Sequence, residues 1–333
     1  MPIPDWRIKL MAASDLRAMG ELDRAAEWAT EAVQIVESKY GRNDMKVVEC
    51  STDLALIYKD LGLHSKAEQL HLRMLAIREK KLGFHHPDLA INLASLAFHH
   101  GAQGHLEVAV NYCERVLEFE EGSFGADHQS VALSIRDVAN ILCKSISTRD
   151  LGVRLYQLGL KITEKNKGSE HSDVAVFLAE LGECYRSSNQ IEKAEELLVR
   201  SLRINEKVRG PNHPEVAMNL LFLAGAFTSQ GKSGAAETLL KRAIAIVEKS
   251  QPPSKTLLAT CLNNLGLIYL EGEQFEQSEA VLLRALSIVE SEQGPNGPLV
   301  YNAIMNLISL YRKTHRDIEA NTLGVRAMLI QNH

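Results

Sequence analysis

Apolar residues recur along this chain with the spacing of an amphipathic helix. Leu262, Leu265, Gly266 and Tyr269 fall at positions i, i+3, i+4 and i+7, which places them on one helical face. After a short turn, residues 278–288 carry a second apolar stripe. Two such segments predict a helical hairpin. A single hairpin cannot bury its own apolar face, so neighbouring hairpins are expected to stack.

The hairpin pattern repeats at a nearly constant step. One column of small residues runs Ala25, Ala67, Ala109, Gly152, Ala194, Ala236, Ser278 and Ala320, with steps of 42 and a single step of 43. Three further columns, beginning at Ala13, Leu16 and Ala32, keep the same register. Small residues indicate where helices cross most closely. The columns predict one array over residues 1–333, with hairpins at about 6–43, 46–87, 88–129, 130–172, 173–214, 215–255, 256–298 and 299–331.

The segments between hairpins share a pattern of glycine followed three residues later by histidine. It occurs at 83–87, 125–129, 168–172 and 210–214. Glycine suits a helix end because it adopts positive φ, and proline suits the first turn of the next helix. The histidines of this pattern, His86, His128, His171 and His213, recur once per hairpin. They are therefore predicted to be structural and not metal ligands.

These features resemble those of tetratricopeptide repeats. The step of 42 and the segment Gly-Pro-Asn-His-Pro-Glu-Val-Ala at 210–217 resemble the kinesin-light-chain type, and the resemblance covers residues 6–331. It implies an all-α, right-handed superhelical solenoid of eight hairpins. It also implies that the first helix of each hairpin lines a concave groove, which binds partner peptides.

Composition and charge narrow the classes of partner and compartment. Aromatic residues make up only 5% of the chain, which favours helices over strands. The formal net charge is −5, which argues against nucleic acid as a partner. No apolar run is long enough to span a membrane, and the start lacks a signal-peptide pattern. The five cysteines are far apart without a CxxC pair, which favours free thiols in a reducing compartment. The sequence therefore predicts a cytoplasmic protein.

The family's groove positions carry an excess of positive charge. The mapped cations are Arg7, Arg17, Lys59, Arg136, Lys144, Arg186, Arg312 and Lys313, and the mapped carboxylates are Glu49, Asp60, Glu183 and Glu271. This excess favours acidic partner peptides, although a split of this size also arises by sampling.

Polar and apolar groove positions complete the candidate site. Thr52, Asn140, Asn263 and Asn302 are candidates to hydrogen-bond a peptide backbone, since an asparagine both donates and accepts. A packing role for Asn264 is equally compatible with the sequence. Val176, Ala179, Met218, Leu221, Leu267 and Leu270 form either an apolar pocket in the groove or, if the register is wrong by one residue, part of the core. The candidate binding residues are Lys59, Arg136, Asn140, Lys144, Arg186, Asn263, Asn302 and Arg312.

No pattern in the sequence favours catalysis, a metal or a cofactor. His85, His86, His99, His100 and His105 lie near one another, but no zinc-type spacing occurs. Gly231-Lys232-Ser233 resembles part of a phosphate loop, yet it falls between two predicted helices where that motif requires a strand. We expect a non-catalytic interaction scaffold that binds a protein or peptide ligand.

Two irregular places suggest alternatives to peptide binding. The segment 144–150 replaces the usual turn, and Gly152 and Gly159 are expected to weaken the following helix. The last helix carries an apolar strip that is expected to be exposed because no capping helix follows, formed by Leu323, Val325, Met328, Leu329 and Ile330. An oligomerising scaffold or a regulatory subunit that uses the terminal faces is therefore the alternative, as a monomer or a weak oligomer.

Overall fold

The computed structural model describes residues 3–119, 129–295 and 297–331, and this part of the chain contains sixteen α-helices and no strand. In chain order, the helices are α1 (Asp5–Ala18), α2 (Leu22–Tyr40), α3 (Met45–Asp60), α4 (His64–Leu82), α5 (Leu89–Ala102), α6 (Leu106–Leu117), α7 (Gln129–Leu142), α8 (Arg149–Lys167), α9 (Ser172–Ser187), α10 (Ile191–Arg209), α11 (Pro214–Ser229), α12 (Ser233–Lys249), α13 (Lys255–Glu271), α14 (Phe275–Gln293), α15 (Pro298–Lys313) and α16 (Asp317–Gln331). Each odd-numbered helix packs against the even-numbered helix that follows it. The predicted all-α fold of eight hairpins is confirmed.

The helices form two compact units. The N-terminal unit, residues 1–169, contains α1–α8, and the C-terminal unit, residues 170–333, contains α9–α16. The division falls in the segment between the fourth and fifth predicted hairpins. A single array over the whole chain stays a prediction.

Glycines in the small columns allow the two helices of a hairpin to cross closely. A Cβ atom at Gly182 would lie 2.8 Å from Leu198 Cγ, and one at Gly266 would lie 2.6 Å from Leu282 Cγ. At Gly152 the added atom would lie 2.6 Å from Cys143 Sγ. Packing thus requires Gly152. The expectation that this glycine only weakens its helix considered propensity alone.

The loop histidines cap the helices that follow them. His171 Nδ1 accepts a hydrogen bond from the backbone N–H of Asp173 at 3.1 Å. Equivalent bonds run from Asp88 N to His86 Nδ1 at 3.2 Å and from Glu215 N to His213 Nδ1 at 3.2 Å. These bonds satisfy amide groups that have no partner within the helix. They confirm the structural role predicted for these three histidines, whereas His128 lies outside the described residues.

The second helices carry a ladder of ion pairs that the sequence analysis did not identify. Each pair joins an arginine to a glutamate 36 positions earlier, on the second helix of the preceding hairpin. The N-terminal unit contains Arg73–Glu37 at 2.5 Å and Arg115–Glu79 at 3.0 Å, and the C-terminal unit contains Arg242–Glu206 at 2.6 Å, Arg284–Glu248 at 2.5 Å and Arg326–Glu290 at 2.5 Å. The sequence signal for these ion pairs is a column of arginines and a column of glutamates, each recurring at the repeat step of 42.

One packing irregularity in the N-terminal unit bears on the candidate site. Elsewhere within each unit the second helix of a hairpin packs on the first helix of the next, as α2 does on α3 and α10 on α11. Helix α7 instead packs extensively on α5, the first helix of the preceding hairpin. This brings first helices of the N-terminal unit close together.

The cysteine prediction holds for three of the five residues. Cys50, Cys113 and Cys261 are buried free thiols, and burial raises the pKa of each to about 12. Cys143 and Cys184 are not free thiols, so the expectation for them was wrong. Sequence spacing alone does not decide which thiols remain free.

Among the described helices, none combines the length and apolar character that a membrane crossing requires.

Candidate functional site

The candidate residues belong to the first helices of the hairpins, whose exposed side we call the first-helix surface of each unit. Lys59 lies on α3, Arg136 and Asn140 on α7, and Lys144 just after α7. Arg186 lies at the end of α9, Asn263 on α13, and Asn302 and Arg312 on α15. The structure thus divides the eight residues equally between the two units.

Ion pairs between helices cross the first-helix surface of the N-terminal unit. Lys59 on α3 pairs with Asp137 on α7, and its Nζ lies 4.4 Å from the centre of the Phe98 ring on α5. Arg136 Nη2 lies 3.5 Å from the same carboxylate. Two of the predicted ligand-binding cations therefore have an acidic neighbour within this unit.

The same surface contains two further pairs between α1 and α3. Arg17 Nε lies 2.5 Å from Asp60 Oδ2, and Arg7 Nη2 lies 3.7 Å from Glu49 Oε1. Salt bridges thus join α1 to α3 and α3 to α7.

Asn140 and Lys144 are exposed at the end of α7. Asn140 Oδ1 accepts a hydrogen bond of 2.6 Å from the Tyr156 hydroxyl of α8. This contact occupies part of the hydrogen-bonding capacity that was assigned to a peptide backbone.

Buried histidines lie behind this surface. His99 is 1% exposed and His71 is 6% exposed, and burial lowers their pKa values to about 4 and about 3. His64 Nδ1 lies 3.2 Å from His99 Nδ1, and Asn92 Nδ2 lies 3.2 Å from His71 Nδ1. In the part of the chain that the structure describes, no group of three or more His, Cys, Asp or Glu residues could hold a metal ion.

The first-helix surface of the C-terminal unit contains a cavity of about 360 Å³ with both polar and apolar lining, which we call the polar cavity for its charged and amide groups. Its lining includes Glu183, Arg186, Thr228, Ser229, Thr260, Asn264 and Glu271, from α9, α11 and α13. Arg186 binds Glu183 through Nε at 2.8 Å and Nη2 at 2.5 Å, and this contact raises the pKa of Arg186. Arg186 packs over Gly225, where a Cβ atom would lie 3.5 Å from its Nε, an ordinary van der Waals contact.

A second cavity of about 370 Å³ lies between the same three helices and Asn205 of α10, and it is mainly apolar. Val176, Ala179, Met218, Phe222 and Leu257 contribute its apolar walls. Phe222 lines both cavities, which are therefore neighbours. Glu180, Asn205, Glu215 and Asn219 contribute polar groups to the second cavity.

A buried polar network forms part of this second cavity. Asn205 Nδ2 donates to Asn219 Oδ1 at 2.7 Å, and Asn219 Nδ2 donates to Ser201 Oγ at 2.6 Å. Ser201 Oγ donates to the Ala175 carbonyl at 2.6 Å. Asn205 is 3% exposed, and its Oδ1 accepts no hydrogen bond from the described residues.

The structure decides the alternatives left open for the apolar positions. Met218 and Leu267 are exposed, and Val176 is half-buried. Ala179, Leu221 and Leu270 are buried, each with at most 7% of its surface exposed. Ala179 and Leu221 nevertheless line the cavities together with Val176, Met218 and Leu267, whereas Leu270 packs in the core.

The asparagines of α13 divide their roles differently from the prediction. Asn264 lines the polar cavity, whereas Asn263 Oδ1 accepts a 3.4 Å bond from Asn306 Nδ2 of α15. Asn302 and Arg312 are exposed on α15. Asn264 therefore faces this cavity, and the peptide-binding role predicted for Asn263 stays a prediction.

Comparison with known proteins identifies the family. The tetratricopeptide repeat family matches residues 7–80 and 173–249, and a second description of the same repeat matches residues 258–298. Together these matches cover more than half of the chain. The chain belongs to the tetratricopeptide repeat family. The repeat prediction is confirmed, and the fold is one associated with protein–protein interaction.

Relatives are similar over different shares of their length. A clustered mitochondria protein homolog of Danio rerio is 25% identical over 175 residues, which are 53% of this chain and 12% of that protein. The chain thus spans about an eighth of this relative. The solved apo form of the quorum sensor NprR from B. thuringiensis is 14% identical over 98% of this chain and 87% of that one, with a TM-score of 0.66. A putative kinesin light chain of Podosopora anserina is 22% identical over 75% of this chain and 99% of that one, with a TM-score of 0.45.

Proposed function

We propose that this tetratricopeptide repeat protein is a non-catalytic adaptor that binds peptide segments of partner proteins on the first-helix surface of its C-terminal unit. The observation that carries the proposal is the pair of neighbouring cavities on α9, α11 and α13. One has a mixed polar and apolar lining and the other is mainly apolar, and Phe222 lines both. Concave sites with apolar walls and a few placed polar groups are typical of ligand recognition.

The two cavities suggest distinct contacts with a bound segment. In the polar cavity, Asn264 can donate to and accept from a peptide backbone, while Glu183 holds the Arg186 guanidinium in a fixed position. In the apolar cavity, Met218 and Leu257 can contact a side chain of the ligand. A preformed surface of this kind limits the entropy lost on binding.

The absence of catalysis is part of the proposal. Burial raises the pKa of the three free thiols to about 12, which disfavours the reactive thiolate. Burial also lowers the pKa values of His71 and His99, which pack in the core. We place the adaptor in the cytoplasm, in keeping with the sequence prediction, and cell fractionation would test that location.

The preference for acidic partners stays a prediction, and fewer of the candidate cations support it than the sequence suggested. Lys59, Arg136 and Arg186 each have a carboxylate neighbour. Lys144 and Arg312 are the exposed cations of the candidate set. Exposed charges of this kind affect the association rate more than the affinity.

Selection from a displayed random-peptide library against the full chain tests the proposal. We expect enriched peptides to lose at least tenfold in affinity for Met218→Glu, because a carboxylate would enter the apolar cavity, and to lose less for Asn264→Ala. Val199→Glu is the matched control, since Val199 is 47% exposed on α10. Failure to enrich any peptide, or equal affinities for Met218→Glu and Val199→Glu, would contradict the proposal.

Self-association through α16 is the second candidate. Four apolar side chains of this helix are between 59% and 81% exposed: Ile318, Val325, Met328 and Leu329. Exposed apolar strips of this kind mark interaction surfaces. Light scattering across a concentration series would show a rising mass that Val325→Lys abolishes, and a constant monomer mass would reject this candidate.

A further inference from the structure

The apolar cavity of the C-terminal unit has an internal counterpart in the N-terminal unit. Asn219 on α11 and Asn92 on α5 occupy the same position of the repeat, and both are buried. Their neighbours from the second helices also occupy equivalent positions, Asn205 on α10 and Arg78 on α4. The two units therefore build the same place in the hairpin with a different side chain.

In the N-terminal unit an arginine of the chain itself fills this place. Arg78 Nη1 donates a hydrogen bond to Asn92 Oδ1, so the guanidinium reaches the buried asparagine. Burial lowers the pKa of Arg78, and the charge of Asp88 opposes that shift. Asp88 occupies the repeat position of Glu215, which lines the apolar cavity of the C-terminal unit.

In the C-terminal unit the shorter Asn205 leaves the cavity open. Its Nδ2 takes over the bond to the buried asparagine, at 2.7 Å from Asn219 Oδ1. Its Oδ1 is left as a buried acceptor without a hydrogen bond from the described residues. An unsatisfied buried acceptor costs about 1–3 kcal/mol, so a donor from a ligand would recover part of this cost.

We propose that the apolar cavity beside Asn205 and Asn219 binds an arginine side chain of the partner peptide, in the place that Arg78 occupies in the N-terminal unit. The aliphatic part of that arginine packs against Met218, Val176 and Leu257, while its guanidinium donates to Asn205 Oδ1 and lies near Glu215. Arginine suits this place because its stem is apolar and its planar head presents several donors. The inference rests on the proposed peptide-binding function and specifies the chemistry of the ligand.

The charge of the cavity lining supports a cation as the occupant. Its ionisable residues are Glu180 and Glu215, and both are acidic. Glu215 already pairs with Arg209, whose Nε lies 2.8 Å from Glu215 Oε2, so a ligand guanidinium would share this carboxylate with Arg209. A neutral side chain of equal length would gain the apolar contacts without the charge-assisted hydrogen bonds.

Titration with a single amino-acid derivative tests the occupant directly. The probe is N-acetyl-arginine amide, and the readout is the methyl signal of Met218 in the full chain with ¹³C-methyl methionine. We expect a saturable shift of the Met218 signal and a shift at least fivefold smaller with N-acetyl-citrulline amide, which is similar in shape but neutral. The signal of Met305, which is 40% exposed on α15, is the internal control and should not move.

Two exchanges between the units extend the test. Asn205→Arg should fill the cavity from within and abolish the response of Met218. Arg78→Asn should open the N-terminal counterpart, so that the methyl signal of Met74 on α4 begins to respond to the arginine probe. The Arg78→Asn variant keeps the test decisive if Asn205→Arg does not fold. A Met74 signal that stays unresponsive in Arg78→Asn would overturn the equivalence between the Arg78 and Asn205 places.

The outcomes separate this inference from the proposed function. A Met218 shift that is equal for arginine, citrulline and leucine derivatives would overturn the arginine site and leave peptide binding intact. Library peptides that bind without any basic residue and are unaffected by Asn205→Arg would do the same. If no library peptide binds, the proposed function fails, while the titration still decides which side chain the cavity accepts.

Discussion

The first-helix surfaces of the two units have been built from the same repeat but differ in what crosses them. In the N-terminal unit, salt bridges join α1 to α3 and α3 to α7, and buried histidines lie behind them. In the C-terminal unit, the Arg186–Glu183 pair stays within α9, and two cavities remain open between the helices. The difference teaches that the polar residues of a repeat can pair with residues of neighbouring helices or can line a cavity where a ligand reaches them.

The largest expected effect is a loss of stability at low pH in the N-terminal unit that the C-terminal unit does not share. The folded-state pKa values of His71 and His99 lie below the ordinary value near 6.5, so their stabilising contribution is complete above pH 6.5 and is lost as pH falls toward 4. Each imidazole costs about 1.4 kcal/mol per pH unit in that window. Hydrogen exchange of the full chain between pH 7 and pH 4.5, corrected for the intrinsic exchange rate, should show protection falling first in α4 and α5. Equal losses in α10 and α11 would contradict this contrast.

Removing the buried asparagine from each unit comes next. Asn92→Leu leaves the half-buried Arg78 guanidinium without this acceptor, and losing a hydrogen bond made by a charged group costs about 1.5–3 kcal/mol. Asn219→Leu leaves the neutral Asn205 and Ser201 groups, at a cost of about 1–3 kcal/mol. Urea denaturation monitored by hydrogen exchange in each unit would measure both values. A larger loss for Asn219→Leu would reverse the comparison.

The cross-helix pair on the N-terminal surface should have a smaller effect. Lys59→Met removes the pairing with Asp137 but keeps an unbranched side chain over Phe98, so we expect a loss of about 1 kcal/mol. Arg186→Met on α9 is the matched variant in the C-terminal unit. It should change local stability less, because its partner Glu183 lies on the same helix. Thermal unfolding with site-resolved exchange distinguishes the two.

The ladder on the second helices should give the smallest effect and the same one in both units. Arg73→Ala removes a half-buried pair and Arg242→Ala a more exposed one, and each also removes a hydrogen bond to a loop carbonyl, of Arg42 and Pro211 respectively. Each should cost less than about 1 kcal/mol, and 0.5 M salt should reduce the difference from the unmodified protein. Effects that differ strongly between these variants would show that the units diverge beyond their first helices.

The fold could be predicted from the sequence because the repeat is encoded locally. Glycine after the second helices α2, α4, α8, α10 and α14, histidine at several caps and small residues at the crossings all act within one or two hairpins. The predicted binding residues fared differently. Lys59 and Arg186 were placed on the correct helices, but their partners Asp137 and Glu183 redirect their charges, and a pair 78 positions apart cannot be read from spacing.

The sequence by itself determined the hairpins, their number and their register, since each rests on contacts between segments that are adjacent along the chain. Only the tertiary structure decided the size and lining of the cavities on each first-helix surface. That outcome depends on how α7 packs on α5, on which carboxylate each cation meets, and on whether Arg78 or Asn205 stands beside a buried asparagine. These are packing relations between distant residues, and the free energy of a buried polar group depends on the partners that packing brings to it.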